Sequence, residues 1–314
     1  MPLRGEDRSR EQGTHLSEDR ASIISPTVIW DFLLRGKNMN DLKPAQTLEA
    51  IMTGAETKAA MPLKRLIIFG IFAGAYIALA GAGSNMAAFN LLSDSETFGI
   101  GKILSGAIFT VGLIMVVMGG AELFTGNTTM IAAAIDKRIT LSSMLRNWVI
   151  VYICNFIGGV LIAFMVYYSG VLSSGEGMLG AVTVKIAAGK VNMDFGPALV
   201  SGVLCNWLVC MAVWMSTGAQ TTVGKILSIF FPIWLFATAG FEHSIANMYF
   251  IPAGIFASSN QLFTALSGVG SDALSNLTWS GMFISNLLPV TLGNLIGGAV
   301  CVAIGYYTAL ADNK

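Results

Sequence analysis

Six stretches of this chain run for roughly twenty residues or more almost without charge, at about 66–83, 103–135, 147–169, 197–217, 226–257 and 281–310. A run of that length is what an α-helix needs to cross the hydrocarbon core of a bilayer. Lipid offers no hydrogen bonds, so each run must pair its own backbone groups, and the helix does this within one segment. The expected fold class is therefore an all-α polytopic membrane protein with six transmembrane helices. Only 11% of the 314 residues are charged, against about 25% in an average soluble domain. Formal net charge is zero, which argues against a nucleic-acid partner; membrane lipid is the expected surrounding. Cys154, Cys205, Cys210 and Cys301 all lie in apolar runs and read as small packed side chains, with no disulfide or metal site expected.

The bridges between spans set the topology. Long ones at 84–102, 170–196 and 258–280 fall on one side; short ones at 136–146 and 217–225 fall on the other, together with both termini. Lys58, Lys64, Arg65, Lys137, Arg138, Arg146, Lys225 and Lys314 lie near the short side, and Lys102, Lys185 and Lys190 near the long side. The excess of positive charge places the short side and both termini in the cytoplasm. Four segments are expected: a polar extension at 1–41, a cytoplasmic amphipathic helix at 42–65, a channel domain at 66–310 and a cytoplasmic tail at 311–314. The extension has no apolar core and is no signal peptide; its composition fits disorder, a tag or an upstream start, since Met39 begins a plausible chain of its own. The helix shows an apolar stripe at Leu42, Ala45, Leu48, Ile51, Met52 and Ala55 and reads as a surface helix.

Two segments repeat. Gly120-Ala121-Glu122 with Asn127 matches Gly240-Phe241-Glu242 with Asn247 at an offset of 120 residues. Asn147, Asn155 and Gly158-Gly159 match Asn286, Asn294 and Gly297-Gly298, and Gly70 matches Gly202. The chain thus reads as two three-helix repeats. Three is odd, so the second copy is inverted in the membrane, an arrangement that places a pathway at the interface of the copies near the midplane. Each repeat carries a carboxylate within an apolar span, and an intramembrane ionisable residue marks a functional site by default.

His243 is the single histidine of the apolar region. Beside Glu242 at a helix break it could hydrogen-bond an anion or lend it a proton; the alternative is a neutral ring bridging backbone groups. Glu122 and Glu242 would repel an anion, so their expected role is to accept hydrogen bonds from N–H groups freed at the breaks. Thr125 and Asn206 could replace an ion's lost hydration or join helices. Lys190 could draw anions to a vestibule or stay a solvated lysine. No cofactor is expected: a bis-histidine haem needs two membrane histidines, and no metal-ligand cluster or nucleophile–base pair lies within the spans, which argues against an enzyme. The paired Asn-Pro-Ala signature of water channels and the twin histidines of ammonium channels are also absent.

These residues resemble a known family. Ala121-Glu122-Leu123-Phe124-Thr125, Arg146-Asn147-Trp148 with Tyr152 and Asn155, Leu204-Cys205-Asn206, and above all Gly240-Phe241-Glu242-His243-Ser244-Ile245-Ala246-Asn247 are similar to the formate–nitrite transporter family, most closely to its bacterial formate channels. The resemblance covers about residues 45–310. It implies an aquaporin-like fold with helices 2 and 5 broken, a homopentamer with one pore per protomer, and a place in the bacterial inner membrane. It implies a small monovalent anion as substrate, formate first, with nitrite, hydrosulfide, lactate or acetate as alternatives. By the same resemblance, Phe109, Leu113 and Phe236 form the cytoplasmic constriction and Leu123, Phe124 and Val209 the periplasmic one. His243 lies between them with Thr125, Asn206 and Asn294 nearby, and Lys190 lies in the outer vestibule. Gly120, Gly240, Asn127 and Asn247 are structural at the breaks.

Overall fold

The computed structural model describes residues 40–311. The expected extension at 1–41 lies outside them as far as residue 39, and so does the tail beyond 311. In chain order the helices are α1 (Pro44–Ala59), α2 (Leu63–Leu92), α3 (Phe98–Met118), α4 (Phe124–Asn127), α5 (Ile131–Ile135), α6 (Leu141–Tyr168), α7 (Met178–Val191), α8 (Phe195–Gly218), α9 (Thr222–Ala239), α10 (Ser244–Ala257), α11 (Gln261–Ser267), α12 (Ser271–Ser275) and α13 (Gly281–Ala311). Among the described residues, six of these (α2, α3, α6, α8, α9 and α13) are long and apolar enough to cross a membrane.

The second and fifth expected spans are each two helices with a gap. α3 stops at Met118 and α4 starts at Phe124; α9 stops at Ala239 and α10 starts at Ser244. The gaps turn on Gly120 (φ 69°) and Gly240 (φ 80°), a left-handed backbone that a side chain would strain.

α2 packs on α3 and α6, and α8 packs on α9 and α13. The two trios join through α3 against α9 and through α10 against α6, while the 128–130 turn after the first break rests on α13. Each half-helix beyond a break therefore leans on the last helix of the other repeat. Small residues permit the close approach: a Cβ on Gly158 would collide with the Ile71 carbonyl, and one on Gly297 with the Val203 carbonyl. Outward faces stay apolar, with Phe72, Val149, Ile153, Leu161 and Phe231 all exposed, as side chains that meet lipid or another copy should be.

One expectation about the ends of spans is corrected. The 170–196 bridge is not a plain loop: it contains α7, whose Leu179, Val184, Ala187 and Val191 are buried against α10 and its neighbours. Lys190 accordingly sits in the last turn of a packed helix. The amphipathic stripe of α1 is the face that packs on the bundle. Leu48, Ile51, Met52 and Ala55 pack with Met130, Met144, Cys210, Trp214 and Val302, and Arg138 clasps α1 from outside through Glu49 and Glu56. Hydrogen bonds to Glu49, then to Asp136, hold the Arg138 pKa above its ordinary value.

Candidate functional site

Each helix break leaves backbone groups that no helix satisfies, and one asparagine closes each break. Asn155 on α6 accepts the Phe124 N–H at 3.0 Å and donates to the carbonyls of Gly70 (2.7 Å) and Glu122 (2.9 Å). Asn294 on α13 accepts the Ser244 N–H at 2.9 Å and donates to Gly202 (2.8 Å) and Glu242 (3.0 Å). Both side chains are fully buried. The repeat seen in the sequence is thus a repeat of hydrogen bonds.

The carboxylates do something different from what was expected. Their side chains do not take freed backbone N–H groups; each meets a lysine and an asparagine. Glu242 accepts from Lys190 Nζ at 2.7 Å and from the Asn247 and Asn286 amides at 2.7 and 3.3 Å. Glu122 accepts from Lys58 Nζ at 2.8 Å and from Asn127 at 2.7 Å. Asn127 also donates to Asn147, and Asn247 to Asn286. Lys190 is therefore paired with Glu242 rather than a solvated lysine. A buried charge is tolerable when paired and hydrogen-bonded, and both carboxylates are. The sequence marks Lys58 only as a charge that sets topology. Lys58 stands 132 residues before Lys190, the same offset that relates Gly70 to Gly202, and that spacing would have paired the two lysines.

Between the breaks lies the histidine. Its Nδ1 accepts the Ala246 N–H at 3.1 Å, capping α10. In the neutral ring the proton consequently sits on Nε2, which is 2.9 Å from Thr125 Oγ1. With its lone pair engaged there, the Thr125 hydroxyl keeps a proton to donate. Protonating Nδ1 would break the cap. The ring thus caps the break through Nδ1 and spends its Nε2 on the Thr125 hydroxyl.

His243 lines a narrow neck with Ile77, Phe109, Leu113, Leu123, Val209, Ile233 and Phe236. The neck encloses about 10 Å³, near the room one water needs. The rings of Phe109 and Phe236 meet edge to face at 5.8 Å, and the Phe236 and His243 rings are 6.0 Å apart. On one side opens a cavity of about 260 Å³ lined by Phe109, Phe236, His243, Glu242 and Lys190. On the other opens one of about 450 Å³ lined by Leu113, Leu123, Glu122, Lys58 and residues of α1.

These cavities correct the sides given to the rings. Phe109 and Phe236 belong to the cavity that holds Lys190, so they cannot form the constriction on the face opposite it. Leu123 borders the cavity walled by α1, together with Leu113. The reason is chain direction: α3 starts next to the 84–102 bridge, on the Lys190 side, and reaches Phe109 before Leu113 and the break. Phe124 does not line the neck; its ring packs edge-on against Trp148 and Tyr152, at 6.3 and 4.9 Å. Nor do Asn206 and Asn294. Asn206 ties the Asn294 and Thr125 carbonyls together at 2.6 and 3.2 Å, which fixes the Thr125 hydroxyl against His243.

The arrangement is two mostly apolar cavities, each with a paired lysine, flanking an apolar neck whose one polar wall is the His243 imidazole, backed by Thr125. It can strip and hand on a small hydrogen-bonding solute. A family model described as formate/nitrite transporter matches residues 45–308. The probable formate transporter of Methanothermobacter thermautotrophicus is 40% identical over 86% of this chain and 97% of its own. Formate channel FocA of Escherichia coli strain K12 is 35% identical, covering 78% and 86%. Among solved structures, a pentameric formate channel with formate bound superposes with a TM-score of 0.70 at 30% identity, covering 79% of this chain and 98% of that one.

Proposed function

Because the chain belongs to the formate/nitrite transporter family, we propose that it conducts small monovalent weak-acid anions, formate first, through a pore within each protomer. The observation that carries this reading is His243, hydrogen-bonded to Thr125 at 2.9 Å and set in a neck otherwise walled by apolar side chains. An isolated ion in such a neck costs tens of kcal/mol by Born estimates, so the neutral acid passes far more easily. By exchanging its bond to Thr125 for one to the solute, the imidazole supplies a hydrogen bond where hydration is lost. A formate that takes up a proton before the neck crosses as formic acid and carries one proton with it; one that crosses as the anion carries none. Because a neck of one water's volume is too tight for formate, Phe109, Leu113, Leu123 and Phe236 must turn aside as it passes.

The same reading gives each ring its place: Phe109 and Phe236 guard the Lys190 side, and Leu113, Leu123 and Val209 the side walled by α1. It takes the α1 side and both termini as cytoplasmic by the positive-inside rule, the protein as a homopentamer in a bacterial inner membrane, and His243 as the proton-exchanging group. Nitrite and hydrosulfide are the substrates that would replace formate. Stopped-flow uptake into proteoliposomes at about pH 5.5 and about pH 7.5, a range that spans histidine titration, tests it. Formate faster than nitrite and hydrosulfide, with internal acidification at the lower pH, is expected. Nitrite or hydrosulfide moving faster would keep the pore and overturn the substrate.

A further inference from the structure

The two cavities are not electrically alike. Glu122 balances Lys58 in the α1-side cavity, and among the described residues no other charged side chain lines it. The Lys190-side cavity is lined by Lys102, Lys185 and Lys190 against Glu242 alone. The Lys190–Glu242 pair at 2.7 Å leaves two cations over. Lys185 is exposed at the rim. Lys102 is half-buried on α3, and no hydrogen bond or ion pair engages its ammonium among the described residues. That ammonium lies close to the break: a Cβ on Gly240 would stand 3.2 Å from it.

A second group in this cavity is also unengaged. Asn85 is 3% exposed, yet its Nδ2 has no partner, whereas buried amide donors are nearly always paired. Its neighbour Ser84 is held by Ser105 at 2.6 Å. The inverted repeat supplies an internal control. The 132-residue offset carries Ser84 and Asn85 to Ser216 and Thr217, which line the other cavity. There both hydroxyls are satisfied by the Val213 carbonyl, at 3.0 and 2.8 Å. The 120-residue offset carries Lys102 to Thr222. The free cation and the free amide therefore occur together on one face only.

We propose that Lys102 and Asn85 form an anion-holding subsite for a small carboxylate or oxyanion, making the Lys190 side the tighter loading face of the channel. This rests on the small-anion reading above. Lys102, Ser105 and Phe109 follow at i, i+3 and i+7 on one stripe of α3, so an anion held at Lys102 has the Phe109 side of the neck next in line. A half-turn of the Asn85 amide, which costs Nδ2 no hydrogen bond, brings that donor to the cavity, and two donors from different helices suit a ligand with two acceptor oxygens. Formate and nitrite fit; hydrosulfide, with one acceptor atom, gains less.

The test is formate uptake against concentration in oriented proteoliposomes, measured from each face. Lys102→Met should raise half-saturation about tenfold from the Lys190 face, the loss expected for one charge-assisted hydrogen bond. Half-saturation from the other face should stay unchanged, and the maximal rate from the Lys190 face should rise in step, because a passive channel keeps the ratio of maximal rate to half-saturation equal in the two directions. Asn85→Ala should act in the same direction by a few-fold, Lys102→Arg should restore most of the affinity, and Lys185→Met should do little. Unchanged half-saturation in Lys102→Met, or an equal rise from both faces, overturns the subsite. Should Lys102→Met fail to assemble, Asn85→Ala decides alone. Saturation-transfer NMR with formate on the detergent-solubilised protein separates this proposal from the functional one. Binding lost in Lys102→Met supports the subsite even if no flux is seen, and binding equal to wild type refutes it even if flux is fast.

Discussion

Asn294 is the clearest place to perturb the frame. Replacing it by Ala leaves the Ser244 N–H and the Glu242 carbonyl without their partners and takes a second bond from the Gly202 carbonyl. Gly202 sits inside α8, so its carbonyl keeps its helical bond. A buried polar group left unsatisfied costs about 1–3 kcal/mol. Two full orphans and one partial one come to roughly 4 kcal/mol. For a chain of this size that is on the order of 8 °C in melting temperature. The inverted repeat gives the experiment its control, since Asn155 makes the same three bonds at the other break. Asn155→Ala should lose a similar amount. Asn294→Asp should do no better than Ala, because its carboxylate still accepts the Ser244 N–H but faces two carbonyl oxygens. Thermal unfolding of the detergent-solubilised protein, followed by tryptophan fluorescence, reads all three. Melting within about 2 °C of wild type for both alanine variants would falsify the claim that these amides hold the breaks.

Other outcomes can be checked with the same protein. Lys190→Met strands Glu242 in a buried site and should cost about 3–5 kcal/mol, while the double variant Lys190→Met/Glu242→Gln should recover most of it in thermal unfolding; a double variant no more stable than the single one would mean that pairing is not what Lys190 contributes. Gly240→Ala forces a side chain into φ 80° and against Lys102, so a loss of about 1–2 kcal/mol is expected, seen as a lower melting temperature. His243→Phe removes the α10 cap, about 1 kcal/mol, and the partner of Thr125; the oligomer should survive on native gels while the pH dependence of flux changes, and an unchanged pH profile would end the proton role. Arg138→Ala releases a half-exposed clasp and should change stability by less than about 1 kcal/mol.

Much of this was legible because the repeat writes itself in residue types that are costly in lipid. Gly120, Glu122 and Asn127 stand out against Leu and Ala, and their copies at Gly240, Glu242 and Asn247 located both breaks. The asparagine pairs of α6 and α13 were visible too, although their targets are backbone groups of other helices, which no spacing reveals. Lys58 was hidden because a lysine in the last turn of α1, just ahead of the first span, looks like an ordinary flanking charge. The sides of the rings went wrong for a different reason. An inverted repeat makes the two faces alike in composition, and resemblance transfers ring membership without direction; only following α3 from its start at Phe98 orders Phe109 before Leu113. Phe124 follows Leu123 in sequence, but the α4 turn sends the two side chains to different neighbours.

The most direct test is to plug the neck. Leu113 touches both the neck and the α1-side cavity, and a space of about 10 Å³ has no room for an indole. Formate flux through Leu113→Trp should fall to the level of empty liposomes while the oligomer still assembles, its stability lowered by the about 1–3 kcal/mol that overpacking costs. Flux that persists in an intact Leu113→Trp oligomer would show that the substrate does not pass His243 and Thr125, and the pore would have to be sought elsewhere in the assembly.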